Sequence, residues 1–164
     1  MIIRRSLNCT CMFEYAPIFL AEDSPADVYL FREALKAHGI ECNLFVCSDG
    51  EEAMSFLLKA ETDGPAPEVF VLDLNLPKIN GRDILRHLRD GSRFAQAPVI
   101  ILTSSDNPID RADCLRMGAD RYVRKVANVS DFLKIGGVVK AMIGQTHATP
   151  RVPLKATPQP GLGE

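Results

Sequence analysis

Side chains able to hold a metal ion and a phosphoryl group stand at the ends of four strand-like segments of this 164-residue sequence, three of them apolar. They are Glu22 and Asp23, Asp73, Thr103 and Ser104, and Lys125. If these segments are parallel strands of one sheet, the side chains meet at its carboxyl edge, where open α/β sheets bind ligands. Each residue alone could be a helix cap or a surface charge. Their shared placement at strand ends favours a common site.

Three neighbouring carboxylates need a cation, because two like charges about 4 Å apart repel by about 4 kcal/mol at an effective dielectric of about 20. Mg²⁺ accepts carboxylate oxygens and keeps positions for water and phosphate oxygens. Beside such an ion, Asp73 can attack phosphorus as a nucleophile and form an aspartyl-phosphate. Thr103 and Lys125 would then neutralise the phosphoryl oxygens. The residue types therefore indicate phosphoryl chemistry.

Asp73 follows the stretch around which the chain is organised. Residues 69–72 form an uninterrupted apolar run, which is typical of a strand buried on both faces of a parallel sheet. Pro77 and the Asn80-Gly81 pair then indicate a loop that leads into a helix. We therefore predict Asp73 at the carboxyl end of a central strand. From this stretch alone, a role for Asp73 as a helix cap or turn residue stays equally open.

Helices alternate with strands along the whole patterned region. Besides 69–72, the predicted strands are residues 17–21, 43–47, 98–103 and 120–125. The predicted helices are residues 24–39, 51–61, 81–89, 106–118 and a segment that begins at 130. The fifth strand is the most polar, so we expect it at an edge. Right-handed crossovers then predict a doubly wound α/β fold with one five-stranded parallel sheet and five helices.

The composition is that of a globular protein, with 46% hydrophobic residues, 24% charged residues and a net charge of −2. This charge gives no bulk attraction to nucleic acid or to a membrane surface, and no apolar run approaches the ~20 residues of a membrane span. We expect a cytoplasmic protein with one domain at 17–145, an N-terminal extension at 1–16 and a disordered tail at 146–164. The Cys9-Thr10-Cys11 pair lacks a second pair for a zinc site.

The combined pattern resembles the receiver domain of bacterial response regulators. The residues that carry the likeness are Glu22 and Asp23, Asp73 with Leu76-Pro77 and Gly81, Thr103 and Ser104, Tyr122, and Lys125. The family implies a flavodoxin-like sheet with strand order 2-1-3-4-5. It also implies that Asp73 accepts a phosphoryl group from a sensor histidine kinase or a histidine phosphotransfer protein. Enzymatic activity would be limited to self-phosphorylation from small donors and self-dephosphorylation.

The resemblance also assigns roles to the site residues. The implied Mg²⁺ ligands are Glu22, Asp23, Asp73 and the backbone carbonyl of Asn75. The implied phosphate-binding residues are Thr103, Ser104 and Lys125. Tyr122 would be a switch that turns inward when Thr103 moves toward the phosphate. Within the family, segments 22–27 and 73–77 look most like the single-domain regulators that serve bacteriophytochrome-type kinases.

Two positions depart from the family pattern. Receivers usually carry Pro after the site lysine, often with a cis bond, and this chain has Val126. Because a non-proline cis bond costs about 2.5–4 kcal/mol, we expect a trans or strained loop after Lys125. Many receivers carry Met at the position of Asn75. Its amide could reach the water that attacks the phosphoaspartate, so we expect an altered dephosphorylation rate.

Two other functions are compatible with parts of the pattern. A phosphatase of the haloacid dehalogenase type also uses a nucleophilic Asp, a hydroxyl, a Lys and Mg²⁺, but wants a second Asp where Asn75 stands. A receiver-like binding module that no longer takes phosphate is supported mainly by Val126. For a receiver, with or without phosphate, output would pass through protein contacts.

By resemblance, the output face is formed by the fourth helix, the fifth strand and the last helix, and self-association there would give a homodimer. Its basic residues are Arg111, Arg116, Arg121, Arg124, Lys134 and Lys140. They suit an acidic partner, and an ordinary solvated face explains them equally well.

Overall fold

The computed structural model describes residues 15–146, with side chains for residues 15–143. The elements are β1 (Ala16–Ala21), α1 (Pro25–Ala37), β2 (Cys42–Cys47), α2 (Gly50–Thr62), β3 (Val69–Leu72), α3 (Gly81–Arg89), β4 (Val99–Thr103), α4 (Pro108–Arg116), β5 (Arg121–Arg124), α5 (Val129–Phe132) and α6 (Ile135–Thr146). All five predicted strands are present. The cysteine pair at 9–11 and the tail from 147 onward lie outside the described residues.

The five strands form one sheet in the order β2-β1-β3-β4-β5, and every pair is parallel. This confirms the predicted doubly wound topology and the edge position of β5. The apolar run of β3 is central, and its last residue, Leu72, is in register with Ala21 of β1 and Ile101 of β4. The residues that follow these strands therefore begin at the same edge of the sheet.

Helices cover both faces of the sheet, so successive strand residues are buried in opposite directions. Ile18 and Leu20 of β1 pack with residues of α1, α5 and α6. Phe19 and Ala21 pack with residues of α2, α3 and α4. The whole of β3 is buried, as its unbroken apolar sequence predicts for a strand covered on both sides.

Polar side chains fix the points at which the helices begin. The Ser24 hydroxyl caps α1, which has Pro25 in its first turn, and Asn80 and Asn107 cap α3 and α4. These caps satisfy backbone N–H groups that have no partner within a helix. They also set where each loop at the carboxyl edge ends.

The last predicted helix is divided at Leu133–Lys134 into α5 and α6. At the division the backbone makes three-residue hydrogen bonds, from Lys134 N to Asp131 O and from Gly136 N to Leu133 O. Gly136 also packs closely on α1, where an added Cβ would lie 2.3 Å from Ala34 O. Low helix propensity of glycine and this close approach account for the break. No helix among residues 15–146 is long and apolar enough to cross a bilayer.

Candidate functional site

Strand ends bring the predicted site residues together at the carboxyl edge of the sheet. Those residues are Glu22 and Asp23 after β1, Asp73 after β3, Thr103 at the end of β4 and Lys125 after β5. The Nζ of Lys125 lies 2.6 Å from Glu22 Oε2 and 2.7 Å from Asp73 Oδ2. Glu22, Asp73 and Thr103 are buried, with exposed fractions of 2%, 4% and 0%. The edge is therefore polar yet shielded from water.

Glu22, Asp23 and Asp73 form a cluster of potential metal ligands. One carboxylate oxygen from each lies within 4.8 Å of the others, and Asp23 is the exposed member. Oxygen donors of this kind fit a hard divalent cation such as Mg²⁺. Because Lys125 already contacts two of the three carboxylates, an entering cation would share them with the ammonium group.

Burial and charge act in opposite directions on the site's pKa values. Burial raises the pKa of Glu22 above its ordinary 4.5, against the lowering effect of Lys125 and of the Ser24 N–H, which donates to Glu22 Oε1 at 3.1 Å. Burial alone would lower the pKa of Lys125. Hydrogen bonds to Asp73, Glu22 and Asp27 outweigh that effect, so the pKa of Lys125 is raised. Lys125 is therefore held as a cation.

The loop after β3 is pressed against Asp73. The Asn75 N–H donates to Asp73 Oδ1 at 3.0 Å, and Asp73 N donates to Ala21 O at 3.0 Å. A Cβ on Gly81 would lie 2.0 Å from the Asp73 carbonyl oxygen, so only glycine permits this approach. In the sequence, the Asn80-Gly81 pair indicated this loop. The loop thus fixes one oxygen of Asp73 and leaves the other with Lys125.

Asp27 is a fourth carboxylate that the sequence did not assign to the site. As an acid three residues after Ser24, it fitted a capping box, in which its side chain would accept from the Ser24 N–H. Instead Glu22 accepts that bond, and Asp27 Oδ2 lies 2.9 Å from Lys125 Nζ. The Asp27 N–H still donates to Ser24 Oγ at 3.3 Å. Helix α1 thereby supplies a counterion to Lys125.

Ser105 links Thr103 to Tyr122, and its only sequence signal is that it follows Thr103 and Ser104 in a run of three hydroxyl residues. Its N–H donates to Thr103 Oγ1 at 3.4 Å, and its carbonyl accepts from the Tyr122 hydroxyl at 3.1 Å. Tyr122 is 9% exposed, and burial raises its pKa. The predicted switch residue therefore already faces inward. Ser104, by contrast, is exposed.

The fold and the polar edge agree with one family. The response regulator receiver domain model matches residues 18–135. The chain belongs to the response regulator receiver domain family. Members of this family act in two-component phosphorelay signalling, are phosphorylated on an aspartate and bind Mg²⁺ or Mn²⁺ at an acidic site, and they are generally signalling proteins, not enzymes. The assignment leaves the haloacid dehalogenase-type phosphatase without support.

Relatives of this receiver domain include phytochrome response regulators. The chain is 36% identical over 120 residues to response regulator Rcp1 of Synechocystis sp., covering 72% of this chain and 82% of Rcp1. The crystal structure of the phosphorylated cyanobacterial phytochrome response regulator RcpA matches with a TM-score of 0.73 and 30% identity, over 80% of this chain and 96% of RcpA. The Mn²⁺-bound form of Rcp1 matches with a TM-score of 0.71 and 32% identity, over 85% and 99% of the two chains.

Several curated relatives are transcriptional regulatory proteins with longer chains. This chain spans 41–50% of the length of those that it matches. The match to them therefore concerns the receiver domain alone.

The position after the site lysine differs from the usual receiver pattern without visible strain. No peptide bond in the described residues is cis, and Val126 does not have a positive φ. Its side chain is 41% exposed. Of the two alternatives expected for this loop, trans or strained, the structure has the trans bond, and Lys125 reaches the site with Val126 in place.

The predicted output face of this receiver is less basic than its sequence suggests. All six of its basic residues are exposed. Arg116, Arg124 and Lys134 form ion pairs with Asp113, Asp106 and Asp131. Exposed apolar side chains stand among these pairs, namely Ile109, Leu115, Val126 and Val129. The face is therefore mixed, with apolar side chains as well as charge pairs.

Proposed function

We propose that this chain is a single-domain response regulator that is phosphorylated on Asp73 by a sensor histidine kinase. The observation that carries the proposal is the pairing of Asp73 Oδ2 with Lys125 Nζ at 2.7 Å inside a cluster of carboxylates that fits Mg²⁺. An isolated buried acid would need no such cluster. The same arrangement provides a nucleophile and a cation for the phosphoryl oxygens.

The transfer step uses this chain's own residues as follows. One Asp73 oxygen attacks the phosphorus of a phosphohistidine that is protonated on its other ring nitrogen. The O–P bond forms, the P–N bond breaks with its electron pair returning to the ring nitrogen, and neutral imidazole leaves. Lys125 and the Thr103 hydroxyl donate hydrogen bonds to the phosphoryl oxygens, with Ser104 beside them. Mg²⁺ would be held by Glu22, Asp23, Asp73 and the Asn75 carbonyl, and it supplies charge neutralisation when bound.

The kinase is proposed to be of the bacteriophytochrome type, because relatives include the phytochrome response regulators Rcp1 and RcpA. Incubation with phosphorylated bacteriophytochrome kinase should transfer the label to the wild type and not to Asp73→Asn. Asp83→Asn, which changes a partly exposed acid on α3, is the matched control and should accept label at the wild-type rate. Transfer from a histidine phosphotransfer protein alone would place the chain in a longer relay. Equal labelling of Asp73→Asn would contradict the proposal.

Asn75 is proposed to set the lifetime of the phosphoryl group. Its side chain is exposed and lines a cavity of about 270 Å³ with Leu74, Asn80, Arg82 and Asp110. An amide there can hydrogen-bond an attacking water, and a methionine cannot. Asn75→Met should therefore change the half-life of phosphorylated Asp73 in a decay assay, with Asn75→Gln as a control that keeps an amide at the same position. An unchanged half-life would remove this role.

Signalling is proposed to pass through α4, β5 and the last helices, either to a partner or to a second copy. Exposed Ile109 and Leu115 on α4 support an interface that buries apolar surface. Sedimentation before and after beryllofluoride addition tests self-association, and Ile109→Lys should abolish any dimer.

We also propose that residues 17–145 are the structural domain, which limited proteolysis would delimit. A chain that binds neither phosphoryl nor beryllofluoride would instead be the phosphate-independent module.

A further inference from the structure

A polar network joins α3 and α4 to the loop after β4. Asp110, in the first turn of α4, accepts from the Ser105 hydroxyl at 2.6 Å and pairs with the Arg82 guanidinium of α3. The Ser105 backbone holds Thr103 Oγ1 and the Tyr122 hydroxyl. Ser105 is thus bound through its N–H, its carbonyl and its side chain.

Asp110 is well suited to act as a fixed anchor. The Ser105 hydrogen bond and the Arg82 guanidinium hold the pKa of this carboxyl below its ordinary 3.8. Its place in the first turn of α4 also favours a negative charge, since the helix N-terminus is partly positive. The anchor is therefore ionised throughout the physiological range, and Arg82 ties it to a helix that begins next to the Asp73 loop.

We propose that Ser105 and Asp110, which Arg82 holds in place, are positioning residues. They keep the Tyr122 ring inward and orient the Thr103 hydroxyl for the phosphoryl group. The proposal rests on the proposed function, because Thr103 and Tyr122 are given their receiver roles there. The Tyr122 hydroxyl donates to the Ser105 carbonyl, and the Ser105 N–H donates to Thr103 Oγ1. The network therefore stabilises the arrangement that phosphorylation is expected to favour, and so biases an equilibrium between two forms of the protein.

The alternative is that Asp110 only stabilises the start of α4 and that Ser105 only caps its loop. That role would change the stability of the protein and leave the phosphoryl site as it is. Asp113 offers a matched control, because it lies on the same helix and pairs with an arginine, Arg116, of that helix. Loss of either ion pair should lower the stability of α4, but only the loss of the Asp110 pair should change the position of the Tyr122 ring.

Two variants break the network at different bonds. Ser105→Ala removes the hydroxyl and keeps the backbone contacts to Thr103 and Tyr122. Asp110→Asn keeps the shape and removes the charge that Arg82 binds. In fluorotyrosine-labelled protein, the Tyr122 resonance, assigned with Tyr122→Phe, should move toward that of Tyr29, which is 62% exposed. Asp113→Asn should leave it in place.

Ligand binding gives the second readout. In both variants the dissociation constant for beryllofluoride should rise by about fivefold, because binding must restore the inward arrangement. The Mg²⁺ affinity should stay at the wild-type value, since the contacts that form this network do not include Glu22, Asp23 or Asp73. The double variant should bind beryllofluoride no more weakly than the weaker-binding single variant, because both changes break the same network.

The outcomes separate this inference from the proposed function. An unmoved Tyr122 resonance together with unchanged beryllofluoride affinity in both variants would overturn the inference. Changes equal to those of Asp113→Asn would also overturn it, because they would reflect helix stability alone. If the wild type binds no beryllofluoride, the proposed function fails, and the Tyr122 resonance still decides whether the network positions that ring. Thermal midpoints of all variants confirm that folded protein is compared.

Discussion

Two lysines at the carboxyl edge of the sheet each stand between carboxylates, but they differ in burial. Lys125 contacts three carboxylates, and its side chain is 10% exposed. Lys78, in the loop between β3 and α3, contacts Asp49 and Glu51 at 2.7 and 3.1 Å and is 52% exposed. The contacts are similar in kind, and water reaches only one of the two lysines freely.

This difference decides what each ion pair does. Water screens the charges around Lys78, so its ion pairs only connect the loop with the start of α2. Around Lys125 the charges are desolvated, and this one cation serves three carboxylates, so removing the lysine leaves uncompensated buried charges. A buried cluster whose carboxylates could also hold Mg²⁺ is suited to a binding site. An exposed pair with a fixed partner is suited to support.

The largest effect is expected from Lys125→Met. It leaves the buried carboxylates of Glu22 and Asp73 without their cation, and breaking a buried pair in this way costs about 3 kcal/mol or more. The unfolding free energy in urea without divalent ions should fall by that amount. Added Mg²⁺ should restore much of it and should bind more tightly than to the wild type, because no ammonium competes. A loss of less than about 1 kcal/mol would place Lys125 in the exposed class with Lys78.

Glu22→Gln should act in the opposite direction on the metal-free protein. The folded-state pKa of Glu22 is raised above 4.5, so its favourable contribution is full below 4.5 and is lost as the pH rises through the folded value. At about pH 7 the neutral glutamine should therefore give a more stable fold, and the gap should narrow toward about pH 5. Mg²⁺ affinity should fall by about tenfold or more. Urea denaturation and calorimetry measure both, and a gap that widens on acidification would contradict the assignment.

The smallest effect is expected from Lys78→Met. Hydrogen bonds and charge from Asp49 and Glu51 raise the pKa of Lys78, but the pairs are exposed and screened. A small loss of stability should vanish at high salt, and Mg²⁺ affinity should not change. Lys78→Gly is the matched variant, because Lys78 has a φ of 67° that glycine adopts without strain. A change in Mg²⁺ affinity in either variant would mean that the two clusters are coupled.

Much of the fold and the central site could be predicted because their signals are local. The apolar run at 69–72 predicted a central strand, and Asp73 directly after it was placed at the correct edge. Because both residues follow parallel strands, Lys125 was predicted to lie near Asp73, although the two are 52 residues apart in the sequence. These inferences need only the direction of a parallel sheet.

The missed features depend on which partner a side chain selects in three dimensions. Asp27 fitted a local capping box, and its proximity to Lys125 required the exact path of α1. Ser105 is one hydroxyl in a run of three, and only the path of the loop into α4 gives it Asp110 as a partner. The break between α5 and α6 likewise follows from contact with α1, through Gly136. Sequence patterns do not encode such choices.

The central claim, that Asp73 is the phosphoacceptor of a Mg²⁺-dependent site, is tested most directly by intact mass. The protein would be incubated with acetyl phosphate and Mg²⁺, beside samples without Mg²⁺ and with Asp73→Asn. We predict one phosphoryl adduct in the wild type and none in either control. An adduct that persists in Asp73→Asn would contradict the claim, and so would a wild type that gains no adduct and binds no beryllofluoride.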